Sequence, residues 1–238
     1  KEETKKAILN AAADMGYQIK VKKIDEKPSL ALLQWISHDM EEDDPYYSSL
    51  RNSIELALST KDLSFDRYFI DDITLISQKN YDGLVCIGKY SQSQIDYLNK
   101  QCNSIVFVDF SPEGNQYTSV VHDFKNASRN VIDYLKDCGH RSIAFIGGRE
   151  GYSDHSSQFI DIREKEVKRL LKVDDELRFH DDNVYIGDFD FDTGVNGVKK
   201  ILEKDNSHEI TAIICASDTI ALGALIAFRA KRDFCYWI

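Results

Sequence analysis

From Pro28 onward, short runs of nearly continuous apolar residues alternate with longer stretches whose apolar residues recur every three or four positions. Runs such as Leu84-Val85-Cys86-Ile87 leave no polar face, so a strand built from them must be covered on both sides. Short two-sided strands alternating with amphipathic helices predict an α/β class with doubly wound parallel sheets. Strands are expected over 29–36, 64–69, 82–87, 104–109, 119–122, 142–147, 183–186 and 211–215. Helices are expected over 46–60, 91–101, 124–138, about 156–172, 191–204 and 218–231. The segment 124–138 shows the logic: Phe124, Ala127, Val131, Tyr134, Leu135 and Cys138 share a face, Asp123 can cap the start, and Gly139 ends it.

Charge and cysteine usage narrow the function classes. The 238 residues carry a formal net charge of -10, which argues against a molecule that coats nucleic acid or anionic membrane as a whole. The first 27 residues are the exception, with seven Lys against five acids. Five scattered cysteines, without C-x-x-C or zinc spacing, fit a reducing cytoplasm. The N-terminus has no apolar core of a signal peptide. Ile210 to Phe228 is long enough to span a bilayer, but Ser217-Asp218-Thr219 interrupts it, so a strand, a polar turn and a core helix are expected there.

In doubly wound sheets ligands bind beyond the carboxyl ends of strands. The residues at those ends include Tyr46 and Tyr47, Asp109, Gly147-Gly148-Arg149, Gly187-Asp188-Phe189 and Ala216-Ser217-Asp218. Gly147-Gly148 lacks the context of a phosphate loop and is expected to be a tight turn. Asp188, Asp190 and Asp192 lack the glycine and glutamate of a calcium loop, so capping acids are expected, with no metal and no cofactor. His140 reads as a turn residue after Gly139. A sugar site wants planar polar partners and an aromatic platform, which Asp109, Arg163, Ser217, Tyr46, Tyr47 and Phe189 can supply jointly.

The chain resembles the lactose/galactose-repressor (LacI/GalR) family of transcription regulators. Residues 1–17, with Ala7-Ile8-Leu9, Ala11-Ala12 and Met15-Gly16-Tyr17, look like the last helix of the family's helix-turn-helix headpiece. Asp44-Pro45-Tyr46-Tyr47, Tyr81-Asp82-Gly83-Leu84, Val106-Phe107-Val108-Asp109, Gly139-His140-Arg141-Ser142-Ile143 and Ala216-Ser217-Asp218-Thr219 continue the match in order. The resemblance implies a periplasmic-binding-protein-like fold. A hinge or linker would occupy 18–27, an N-terminal effector subdomain 28–121, and an incomplete C-terminal subdomain 122–238.

Carried over position by position, Tyr46 and Tyr47 line the cleft and Asp109 takes a ligand hydroxyl. Arg163 matches the arginine of the R-x-x-G-F pattern, with Glu166 and Val167 in place of Gly and Phe. Phe189 stacks on the ligand. Ser217 stands where the family usually has Asn, beside Asp218. The expected partners are a small sugar, with a pointer to a β-galactoside, operator DNA through a headpiece whose first two helices are not in this sequence, and a second copy of the chain, with no membrane. Residues 18–27 lack the family's hinge-helix pattern, and 233–238 resemble nothing in it, so an incomplete chain is expected. A cytoplasmic repressor without enzymatic activity is the expected function. A transporter's periplasmic sugar-binding protein, or an acid/base enzyme using Asp109 and Asp218, are the rivals.

Overall fold

The computed structural model describes residues 27–38, 45–114, 116–154, 156–205 and 209–230. The expected headpiece helix over 1–17, the linker apart from Lys27, Asp44 and the tail from 231 lie outside the described residues.

The chain runs β1 (Ser29–Gln34), α1 (Pro45–Thr60), β2 (Ser64–Phe69), a 3-10 helix (Ile70–Gln78), β3 (Gly83–Ile87), α2 (Gln92–Gln101), β4 (Ile105–Val108) and β5 (Thr118–Val120). These five strands form one parallel sheet in the order β2-β1-β3-β4-β5. The order reverses between β1 and β3, which opens a crevice at their carboxyl ends. After α3 (Phe124–Asp137) come β6 (Ile143–Gly148), a hairpin of β7 (Glu150–Gly151) and β8 (Gln158–Phe159), α4 (Ile162–Val173), β9 (Val184–Gly187), α5 (Phe191–Lys204), β10 (Ala212–Cys215) and α6 (Asp218–Ala230). The second sheet is also parallel, ordered β10-β6-β9.

Both sheets have the two-sided character that their sequences predict. In β6 every residue is buried. Its side chains alternate between two cores, as a pleat of period two requires. Ala144 and Ile146 pack with Val198, Ile201 and Ile220 of α5 and α6, whereas Ile143 and Phe145 pack with Ile132, Val167 and Leu171 of α3 and α4. The first sheet holds a separate core that includes Leu32, Leu84, Ile87, Leu98 and Phe107.

Local chemistry sets the helix ends. Ser91 and Gln94 form a reciprocal capping box at the start of α2. Asp123 accepts the Asn126 N–H at 3.1 Å to start α3. Gly139, at φ 92°, adopts the left-handed conformation that ends that helix. Asp190 caps α5, so at that position the acid serves backbone rather than metal, and among the described residues no acid, His or Cys cluster could hold an ion. Gly194 and Gly223 let α5 and α6 cross closely: a Cβ on either would lie 2.0 Å from a backbone oxygen of the other helix.

Two expectations need correction, and one element was not foreseen. Gly147-Gly148 is not a turn; both residues belong to β6 and are buried. The helix expected from about 156 begins only at Ile162, because Asp161 caps it there and the residues before it pair as β8. The 3-10 helix over Ile70–Gln78 was not anticipated, since its nine residues are too few to establish a helical period. The interrupted apolar stretch resolves into β10 and α6, and no helix among the described residues is long and apolar enough to cross a membrane.

Candidate functional site

Side chains converge where β1, β3 and β4 end. Trp35 follows β1, and its backbone N–H donates to Ile87 O at 3.0 Å. Gly88, at φ 91°, follows β3. A Cβ there would lie 1.8 Å from Trp35 Cδ1, so only glycine lets the indole lie over this turn. The next residue, Lys89, then reaches back into the crevice, with its Nζ 5.3 Å from the Trp35 ring centre and 5.4 Å from that of Tyr47. Asp109 follows β4 in the left-handed region, at φ 61°, which Asp tolerates better than most residues. Its backbone N–H donates to Val120 O at 2.8 Å.

These residues form one hydrogen-bonded group. Tyr47 donates its phenol proton to Asp109 Oδ2 at 2.8 Å, and Lys89 Nζ donates to Tyr47 Oη at 2.6 Å and to Asp109 Oδ2 at 3.2 Å. Burial, together with the Asp109 and Glu150 charges, pushes the Tyr47 phenol far above its ordinary pKa, which keeps it a donor. Tyr46 stands at the mouth, 44% exposed, its ring edge-on to Tyr47 and its Oη 2.9 Å from His122 Nε2. His122 Nε2 is in turn 4.0 Å from Asp109 Oδ1.

The second sheet supplies the facing wall. Arg163, at the start of α4, is fixed on three sides. Its Nε and Nη2 bond both carboxylate oxygens of the buried Asp161 at 2.7 Å each, and Nη1 donates to Ala216 O at 3.0 Å. Its guanidinium carbon lies 4.6 Å from the Phe189 ring centre and 4.9 Å from that of Phe124. Burial opposes the guanidinium's charge, but the Asp161 bonds together with the Asp161, Glu150 and Asp109 charges outweigh it and raise the pKa. Phe189 follows β9 and sits over Gly148, where a Cβ would come within 2.6 Å of the ring. Gly148 therefore makes room for the aromatic platform, whereas Gly147 makes room for Phe145 inside the core.

Two bridges join the walls. Lys89 Nζ lies 3.0 Å from Oε2 of Glu150, in β7, close enough for an ion pair although that oxygen has no aligned hydrogen bond. Burial raises the Glu150 pKa, with Lys89 opposing. Farther out, Ser91 and Ser93 at the start of α2 donate to Asp154 Oδ2, and Gln94 Nε2 donates to Ser153 Oγ at 2.9 Å.

The structure thus brings Tyr46, Tyr47 and Asp109 into one group and Arg163 and Phe189 into another. Ser217 lies next to the Ala216 carbonyl that holds Arg163, with its hydroxyl accepting the Ile220 N–H at 3.3 Å. Asp218 is exposed and turned to its own helix, accepting the Thr219 N–H at 3.0 Å. Sequence reasoning missed Lys89 and Glu150. The strand-end rule applied to β3 points to Lys89 as directly as it points to Asp109 after β4.

Comparison with known proteins agrees with this architecture. Residues 132–232 match the periplasmic binding protein-like domain. The chain is 30% identical over 233 residues to the HTH-type transcriptional regulator GalR of Streptococcus thermophilus, covering 96% of this chain and 69% of the relative. It is 29% identical over 239 residues to the HTH-type transcriptional repressor MelR of Bacillus subtilis (strain 168), covering 95% of this chain and 68% of that one. Among solved structures, a complex of the transcriptional regulator CelR with cellobiose superposes with a TM-score of 0.69 at 18% identity, over 97% of this chain and 70% of that chain. A LacI regulator from Bacillus cereus subsp. cytotoxis gives a TM-score of 0.69 at 21% identity, over 88% and 74%. At these identities the structures speak for the fold alone.

Proposed function

The chain belongs to the lactose/galactose-repressor (LacI/GalR) family of transcription regulators, and from that premise we propose a cytoplasmic repressor whose operator affinity is set by a small sugar held between two subdomains, 28–121 and 122–238. The relatives are regulators, which leaves the transporter and enzyme readings without an observation in their favour.

One observation carries the proposal. Polar and aromatic side chains from the carboxyl ends of both sheets face one crevice, and the Lys89–Glu150 pair spans it. In this reading Asp109 accepts ligand hydroxyls, Arg163 donates to ring or bridging oxygens, and Phe189 covers an apolar sugar face. Tyr46 and Tyr47 line the opposite side, with Ser217 and Asp218 at the rim. The resemblance of Asp44-Pro45-Tyr46-Tyr47 and Ser217-Asp218 to galactoside-responsive members favours a β-galactoside.

The ligand acts by population shift. It contacts both walls only when they are close, so it favours one closure angle, and that angle changes how a homodimer spaces two headpieces on a palindromic operator. No bond is made or broken. The test is fluorescence anisotropy of a full-length version, with its whole helix-turn-helix headpiece, on a labelled palindrome from its own promoter region. A galactoside that changes the apparent Kd by about 5–150-fold supports the reading. Operator affinity unmoved by any sugar contradicts it.

A further inference from the structure

The charges of the crevice carry information about the ligand that the candidate residues alone do not. Lys89 is an ammonium with three N–H donors. It donates to Tyr47 Oη and Asp109 Oδ2 at 2.6 and 3.2 Å, and Glu150 Oε2 lies 3.0 Å away as an ion-pair partner. Its side chain is 12% exposed, and those of Asp109 and Glu150 are 10% and 15% exposed, so the group is shielded from water. The other cation, Arg163, spends two N–H groups on Asp161 and a third on Ala216 O, with Phe189 and Phe124 against it.

Two cations therefore face three carboxylates, Asp109, Asp161 and Glu150, and each cation is already paired. Protonating Glu150 would bring the group only to balance. What the crevice has to spare is acceptor capacity. Glu150 Oε2 is buried beside Lys89 without an aligned donor. A sugar hydroxyl can donate to it, whereas a phosphate dianion or a carboxylate can only accept. An anionic ligand would have to pull Lys89 from Glu150 and leave a buried carboxylate unpaired.

We propose that Lys89 and Glu150 form a specificity-determining pair across the crevice that admits uncharged, hydroxyl-rich ligands and rejects sugar phosphates and sugar acids. This rests on the sugar reading of the crevice. Glu150 is the discriminating member: it neutralises the one ammonium that a phosphate could reach, and it offers the acceptor that a hydroxyl needs. Lys89 is the positioning member, because it holds Tyr47, Asp109 and Glu150 at fixed separations.

Calorimetric titration with matched pairs tests the proposal: galactose and galactose 6-phosphate, lactose and lactose 6-phosphate, glucose and glucose 6-phosphate. The neutral form of at least one pair is expected to bind at least about tenfold more tightly than its phosphate. In Glu150→Gln the same ratio is expected to fall by about tenfold or more, because Lys89 is released to meet the phosphate. Glu150→Ala removes the same charge with less bulk and replaces the amide variant if that variant does not fold. A phosphate that binds as well as its neutral partner overturns the proposal, and so does an unchanged ratio in a folded Glu150 variant. If neither form of any sugar binds, the sugar reading itself falls, and the pair's role falls with it.

Discussion

Arg163 carries more of the site's geometry than any other side chain. Asp161 fixes the plane of its guanidinium, Ala216 O holds one end, and Phe189 and Phe124 lie within ring-contact distance. Lysine would keep the charge but lose both the fork and the plane. Arg163→Lys is therefore expected to weaken sugar binding by about tenfold or more, read by calorimetry, and to lower the unfolding temperature, because the buried Asp161 loses its two-bond partner. Asp109 offers a complementary test. Asparagine tolerates the same left-handed backbone, so Asp109→Asn removes charge without adding strain. It should lower affinity while leaving stability within about 1 kcal/mol, read by urea denaturation.

Two of the candidate residues, Asp109 and Phe189, could be placed because strand ends are legible, whereas Arg163 came from the family resemblance. Asp109 ends an apolar run and Phe189 follows Gly187-Asp188, so both could be placed at the crevice before any contact was known. Lys89 follows β3 and could be placed in the same way, but a lone Lys or Glu in sequence has the appearance of a solvated charge, so neither it nor Glu150 announced a buried pair. Only the approach of the two walls makes them a buried pair.

At the scale of elements, two contacts can be tested, one inside the second wall and one between the walls. The crossing of α5 and α6 depends on Gly194 and Gly223, with no room for a methyl group on either. Gly194→Ala is expected to destabilise by about 1–3 kcal/mol, despite alanine's better helix propensity, read from urea midpoints. The second contact is the latch of Asp154 on Ser91 and Ser93 at the start of α2. Burial works against its carboxylate, but bonds from Ser156, Ser91 and Ser93 prevail and lower its pKa to about 2. A depressed carboxyl contributes stability above its unfolded pKa, about 3.9, and loses it as pH falls through the folded value. The stability gap between wild type and Asp154→Ala should thus be full at neutral pH and close below about pH 2, a small effect because Asp154 is exposed.

Most elements followed from hydrophobic period, because β3, β6 and their flanking helices present unbroken patterns. The β7–β8 hairpin did not. Its strands have two residues each and are held by Tyr152 against Phe159, a contact that no period announces. The helical pattern of α4 was therefore read back too far, past the Asp161 cap.

For the whole molecule, two parallel sheets meet along one crevice that the latch and the ion pair span, and in the proposed reading the ligand acts on the separation of the same walls. That picture can be tested without DNA. The most direct measurement is thermal unfolding against a sugar panel that includes galactosides, for wild type and Arg163→Ala in parallel. A sugar at about a hundredfold excess over its Kd should raise the wild-type unfolding temperature by about 5–10 °C and leave Arg163→Ala unmoved. Equal shifts in both proteins, or no shift with any sugar in the panel, would contradict the account.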